Sequence, residues 1–261
     1  MTGVFPVEQL YPVRKPVADP LSIYDHLDLP AGNEERPFVA VNMVSTVDGK
    51  ITLNKKERAE PLGSPVDRHL MKRLRVHFDA VLRGAETVRA NPFFPGVPDD
   101  LALRREQAGK EPQPLGIVVS RSLDLPLESQ YFTASPKPVI LTASASDPRR
   151  REIASHYARV EIAGEHEVDA RRALEILARK YGVRRLLVEG GAALNYSFFK
   201  AGLIDALFWT LAPKLSGFRE DLTMIAGPAL LTPVPRLRLE TLYLHGDELF
   251  FRWRVADQEQ A

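Results

Sequence analysis

Short β-rich runs alternate with stretches that carry apolar residues at helical spacing, and this alternation constrains the fold more than any other feature. Residues 38–44, FVAVNMV, form the first run, which breaks at the turn-like Val47-Asp48-Gly49-Lys50 and resumes at Ile51. Ser64-Pro65-Val66-Asp67 then reads as a helix start, with Ser64 as cap, Pro65 in the first helical position and Asp67 at the positive end of the dipole. Val66, Leu70, Leu74 and Phe78 recur every four residues, so one face of that helix is buried. A strand at 79–83 follows, and Gly84 opens a short turn and helix towards Asn91-Pro92. Residues 116–120 and 138–142 are further strands, and 147–162 reads as a helix then a strand. Ala170, Leu174, Leu177, Ala178 and Tyr181 mark a helix stopped by Gly182, which feeds the strand Leu186-Leu187-Val188. After Glu189-Gly190-Gly191 a helix carries Leu194, Phe198 and Ala201 and stops at Gly202.

The tail differs. Residues 204–211 are strand-like, and 237–244 and 249–255 form a hairpin through His245-Gly246-Asp247-Glu248. The whole pattern predicts an α/β fold with a mostly parallel central sheet and an antiparallel C-terminal edge hairpin. Residues 1–37 are rich in proline and charge and read as an extended N-terminal arm, with residues 38–261 as a single domain. Residues 92–114, rich in Pro, Gly and charge, read as loop, either an active-site flap or an excursion.

Composition narrows the chemistry. The absence of cysteine excludes disulfides, thiolate metal sites and thiol nucleophiles, and suits a reducing compartment; a cytoplasmic protein is expected. Lys and Arg number 35 against 34 Asp and Glu, without long runs of one sign, so no nucleic-acid partner is expected and a small-molecule substrate is. No stretch approaches the roughly 20 apolar residues of a membrane helix, so no membrane partner is expected. The six histidines lack the spacing of a metal site, and no metal is expected. The usual dinucleotide, P-loop and hydrolase-elbow motifs are missing too.

Two strand-to-helix junctions carry what remains. At Glu189-Gly190-Gly191-Ala192-Ala193-Leu194, bare glycines followed by first-turn N–H groups suit a cofactor pyrophosphate, or form a tight turn that needs glycine for its dihedrals. Arg83-Gly84-Ala85-Glu86-Thr87 repeats that logic with a hydroxyl, and the two turns side by side could grip a dinucleotide. Arg68, Lys72 and Arg75 share one helix face, where they meet a phosphate or are simply solvated. Asp48 bonds its own backbone as a turn residue or faces a ligand, and Asn42 is a second ligand-facing candidate.

Read in order, these segments resemble the pyrimidine reductase family of riboflavin biosynthesis over about residues 38–255. The family's S-L-D-G-K-I-A appears as Ser45-Thr46-Val47-Asp48-Gly49-Lys50-Ile51-Thr52, and its long arginine-to-proline motif as Leu74-Arg75, Asp79-Ala80-Val81-Leu82-Arg83-Gly84 and Thr87-Val88-Arg89-Ala90-Asn91-Pro92. V-E-G-G-x-x-L, G-L-[VI]-D and A-P-x-L-x-G appear at Val188–Leu194, Gly202–Asp205 and Ala212–Gly217.

The resemblance implies a dihydrofolate-reductase-like three-layer fold, NADPH as cofactor, and hydride transfer to the sugar C1′ of a ribosylamino-pyrimidine 5′-phosphate. It assigns cofactor contacts to Ser45, Thr87, Asn91, Gly190, Gly191, Ala192, Ala193 and Leu194, to which the second glycine turn adds Gly84, and substrate contacts to Arg75 and Glu189. No protein nucleophile is required and no catalytic residue is named, because the cofactor supplies the hydride. It also implies a homodimer through the C-terminal strands, residues 204–211 and 249–255. The chain departs from the family on the substrate side. Ala90-Asn91-Pro92 is one acidic residue short, Phe93-Phe94-Pro95-Gly96 lacks the usual arginine, Ala59 stands where relatives have Ser, and Arg83 takes a usually apolar strand position. Two alternatives therefore stand beside the main reading: a paralogous NADPH reductase for a pterin, folate or other carbonyl or imine, and a non-catalytic nucleotide-binding protein.

Overall fold

In the parallel part of the sheet, strands are apolar on both sides because helices cover both faces. The computed structural model describes residues 7–53 and 61–256; Ala59 lies outside them. Its elements run β1 (Val7–Tyr11), β2 (Lys15–Val17), a 3-10 turn (Pro20–Tyr24), β3 (Phe38–Ser45), α1 (Pro65–Arg75), β4 (Ala80–Gly84), α2 (Ala85–Ala90), α3 (Asp99–Gln107) and β5 (Leu115–Val119). They continue as α4 (Gln130–Thr133), β6 (Val139–Thr142), α5 (Pro148–Tyr157), β7 (Arg159–Ile162), α6 (Ala170–Tyr181), β8 (Arg185–Val188), α7 (Ala192–Lys200), β9 (Ala206–Leu211), β10 (Leu237–His245) and β11 (Glu248–Val255). One sheet takes the order β2-β1-β10-β11-β9-β3-β8-β4-β5-β6-β7. From β9 to β7 every pairing is parallel; from β9 to β2 every pairing is antiparallel.

Side chains alternate across the strands, and three layers result. Val39, Val41, Leu82, Ile117 and Val139 pack against Ala173, Leu174 and Leu177 of α6 and Phe198 and Phe199 of α7. The opposite face takes Ala40, Val81, Leu187 and Phe208 against Leu70 and Leu74 of α1, while Val118 and Ile140 meet Phe132 of α4 and Ala154 of α5. The expected caps are present: the Ser64 side chain accepts from the Asp67 amide, that of Asp169 from the Arg172 amide, and Gly182 ends α6 at φ +66.

Two segments differ from the expectation. Residues 7–17, read as an arm over the surface, are extended but hydrogen-bonded into the sheet, with β1 antiparallel to β10 and β2 antiparallel to β1. Proline there does not prevent pairing, since Pro16 lies on the outermost strand, where no ladder N–H is required. Inside the loop at 92–114, α3 forms because Leu101 and Ala102 bury with Val97 and because Arg105, 1 % exposed, donates to the carbonyls of Arg75, Val76 and Phe78. Those are carbonyls at the end of α1 and just beyond, where helical partners run out.

The C-terminal strands cannot pair edge to edge across a two-fold axis. β9 is flanked by β11 and β3, and β11 by β10 and β9, so both edges of each are already taken within the chain. The outermost strands are β2 and β7. No helix among the described residues is long and apolar enough to cross a membrane.

Candidate active site

β8 and β4 are neighbours in the sheet, so their two glycine turns meet at the carboxyl ends of the strands. The Gly84 amide donates to the Gly190 carbonyl at 3.0 Å. Gly190 and Gly191 hold φ of +94 and +108, a region that side-chain-bearing residues avoid. A methyl on Gly191 would lie 3.4 Å from Gly84 Cα and 3.3 Å from Leu194 Cβ; one on Gly190 would lie 3.4 Å from Met43 Sδ and 3.7 Å from Thr87 Oγ1. No side chain caps α7, which leaves the first-turn amides after Gly191, including those of Ala192, Ala193 and Leu194, without a helical acceptor. Gly84, Thr87, Gly190 and Gly191 thus stand together. Asn91 is exposed at the far end of α2, and its amide bonds to the Thr87 carbonyl.

Of the three remaining candidates at or beside β3, Ser45 and Asp48 are engaged by protein. Ser45 is fully buried; its hydroxyl accepts from Trp209 Nε1 at 2.9 Å and donates to the Thr46 carbonyl. Asp48 accepts from Thr46 Oγ1 at 2.6 Å and from the amides of Ser216 and Gly217 at 3.1 and 2.8 Å. Those bonds hold its carboxyl down to about 2. Asp48 therefore bonds its own turn, as a turn residue does, and also staples that turn to a second loop. Asn42, half-buried, lies on the face that carries Ala40 and Phe208, beside the end of β8.

Arg75 and Glu189, expected to face the substrate, face each other. Arg75 Nε and Nη2 reach the two carboxylate oxygens of Glu189 at 2.6 and 2.7 Å, and Arg83 Nη2 reaches Oε2 at 2.7 Å. The three side chains are only 5–6 % exposed. Burial alone would raise the Glu189 carboxyl, but the two guanidiniums overcome it and hold the group down to about 2. Over this cluster sits the 93–97 segment. Phe94 packs so closely on Gly116 that a methyl there would lie 2.9 Å from its ring, and Gln113 bonds both the amide and the carbonyl of Val97 at 2.8 Å.

A further carboxyl escaped the sequence reading. Asp67, on the first turn of α1, is bonded by Thr210 and lies near Glu248 at the start of β11. Glu248 accepts from the Ser64 amide and hydroxyl at 3.0 and 2.5 Å. Burial first, and the Glu248 charge second, push Asp67 up to about 6. In the sequence it looks like an ordinary acidic first-turn residue; its partner is 181 positions away, and only the sheet brings them together. Farther along the strand ends, Arg121, Ser122, Arg150 and His166 line a polar pocket past β5 and β6. Among the described residues no group of His, Asp and Glu is arranged to hold a metal.

The chain matches the RibD C-terminal domain family over residues 37–251. It is 31% identical over 197 residues to the 2,5-diamino-6-ribosylamino-4(3H)-pyrimidinone 5′-phosphate reductase of Archaeoglobus fulgidus, covering 75% of this chain and 89% of that one. It is 30% identical over 224 residues to the enzyme of the same name from Methanothermobacter thermautotrophicus, covering 84% and 99%. A crystal structure of a pyrimidine reductase-like protein from Corynebacterium diphtheriae shares the fold at a TM-score of 0.77 and 21% identity, covering 92% of this chain and all of that one. Joined glycine turns, a parallel sheet with antiparallel strands on one side and these relatives lead to one assignment: the chain belongs to the RibD C-terminal domain family of reductases.

Proposed function

We propose that this chain is the cytoplasmic NADPH-dependent reductase of riboflavin biosynthesis that converts a ribosylamino-pyrimidine 5′-phosphate to its ribitylamino product. The observation that carries the reading is the joined pair of glycine turns, a cradle that a single Cβ would fill. The amides of Ala192, Ala193 and Leu194 would hold the diphosphate, with Gly190, Gly191, Gly84 and Thr87 as walls. The pocket of Arg121, Ser122, Arg150 and His166 offers cations for a third phosphate, which favours NADPH over NADH. When bound, the nicotinamide supplies the hydride.

The protein's own part is orientation, water exclusion and proton custody. Glu189, held far below neutrality, keeps no proton and can only accept hydrogen bonds, whereas the Asp67 carboxyl holds one up to about pH 6. We place the homodimer contact on the sheet face carrying Trp209, Phe251 and Trp253, half-buried rings stacked at 5.2 and 5.6 Å. Sedimentation at twice 29.2 kDa is expected, and a monomer refutes that contact.

Loss of NADPH absorbance with the ribosylamino-pyrimidine phosphate tests the reaction. Turnover is expected, with cofactor affinity falling on the order of ten-fold in Gly191→Val. No turnover despite intact NADPH binding removes this substrate; unchanged affinity in the variant removes the cradle. A second reading, a reductase for another imine or carbonyl such as a pterin, is favoured by the engagement of Arg75 and Glu189 with each other under an arginine-free loop. A substrate panel separates the two.

A further inference from the structure

Arg83 precedes Gly84 as Glu189 precedes Gly190, and on adjacent strands their side chains stand side by side beneath the joined turns. Both arginines divide their donors in the same way. Arg75 gives Nε and Nη2 to Glu189 and Nη1 to the Gly96 carbonyl at 2.8 Å. Arg83 gives Nε and Nη2 to Oε2 of Glu189, at 3.2 and 2.7 Å, and Nη1 to the Phe93 carbonyl at 3.1 Å. Those carbonyls are the two ends of Phe93-Phe94-Pro95-Gly96, so a single carboxylate, through two guanidiniums, holds both ends of one turn. Such a buried ion cluster is no more stabilising than apolar side chains of similar volume, so stability alone does not account for Arg83 on this strand.

We propose that Arg83 is a positioning residue: acting through Glu189 and the Phe93 carbonyl, it fixes the 93–96 turn as a wall of the substrate pocket. This rests on the reductase reading above. The cofactor cradle does not depend on Arg83, because backbone bonds from Gly84 N–H to the Gly190 carbonyl and from Glu189 N–H to the Leu82 carbonyl join the strand ends without it. A planar guanidinium is required, since it can serve a carboxylate and a carbonyl at once, while a lysine ammonium supplies charge without that geometry. The groups facing Glu189 are Arg75 from α1, Arg83 from β4 and the Tyr131 hydroxyl from α4.

Arg83→Leu and Arg83→Lys, compared with wild type in steady-state kinetics, pH profiles and amide hydrogen exchange, form the test. Arg83→Leu is expected to raise the substrate KM on the order of ten-fold and leave the NADPH KM within about two-fold. With one arginine left on Glu189, the acid limb of kcat/KM moves to higher pH, and the amides of residues 93–97 exchange faster. Arg83→Lys restores the acid limb but neither the KM nor the exchange protection. An unchanged KM and acid limb, whatever happens to thermal stability, overturns the proposal and leaves Arg83 a packing residue. Arg83→Gln, which keeps one donor arm, is measured in the same way if Arg83→Leu does not fold. Should wild type turn nothing over, the reductase reading falls, and equal exchange at 93–97 in wild type and Arg83→Lys independently overturns the anchoring role.

Discussion

Glu189 and Asp67 stand on the same face of one sheet, near the carboxyl ends of its parallel strands, and burial acts on both in the same direction. Their neighbours reverse the outcome. Two guanidiniums close on Glu189, and it stays ionised down to about pH 2. Asp67 meets the Thr210 hydroxyl, the Glu248 charge and the exposed Arg68, and it gains a proton near pH 6. Among the described residues no ion pair closes on Asp67 or Glu248, whereas Glu189 has two. Depth in the protein does not decide a carboxyl's role; the charge that reaches it does.

The largest expected effect comes from removing the paired acid. Glu189→Ala leaves Arg75 and Arg83 buried without a counter-charge and is expected to cost about 3–5 kcal/mol in urea unfolding at pH 7. A loss below about 1 kcal/mol would mean that water reaches the arginines and that the corner is not sealed. In wild type the depressed Glu189 carboxyl stabilises the fold fully above its unfolded value of 4.5, and that contribution disappears as pH falls towards about 2.

Asp67 produces the opposite slope at a smaller amplitude. Its folded value exceeds its unfolded 3.8, so the native state binds the extra proton and stability falls as pH rises from about 4 to about 6. Asp67→Asn is expected to stabilise the protein by about 1–2 kcal/mol at pH 8 and to change little at pH 4. Equal effects at the two pH values would show that Asp67 titrates normally, and the contrast between the two carboxyls would collapse.

What could be read from the sequence follows the reach of each interaction. The stripe Leu70, Leu74 and Phe78, the cap at Ser64 and the glycine stop at 182 depend on neighbours within a few residues, and they stand where the spacing put them. The two glycine turns were legible for the same reason, and strand adjacency brought them together. α3 was hidden because its buried side includes Arg105, which a periodicity argument takes for a solvent face. Ser45 and Asp48 were recognisable as motif residues, and both bond the neighbouring Thr46, yet their other partners, Trp209 and the Ser216-Gly217 amides, lie more than 160 positions away. The Glu189 cluster was half visible: its acid and one arginine fitted a pattern, but nothing local showed that Arg83 would turn to meet them.

β1 lies along β10 from Val7 to Tyr11, and this pairing bears on how the protein can be shortened. A version begun at Phe38, near where the family likeness starts, would strip that neighbour away and leave the main-chain groups that Leu242–His245 turn towards β1 without partners. Leu242, Tyr243 and Leu244 lie along that bared ladder, a template on which other copies can assemble. Solubility of the shortened protein therefore depends on eleven residues, 7–17, that lie far from the glycine turns.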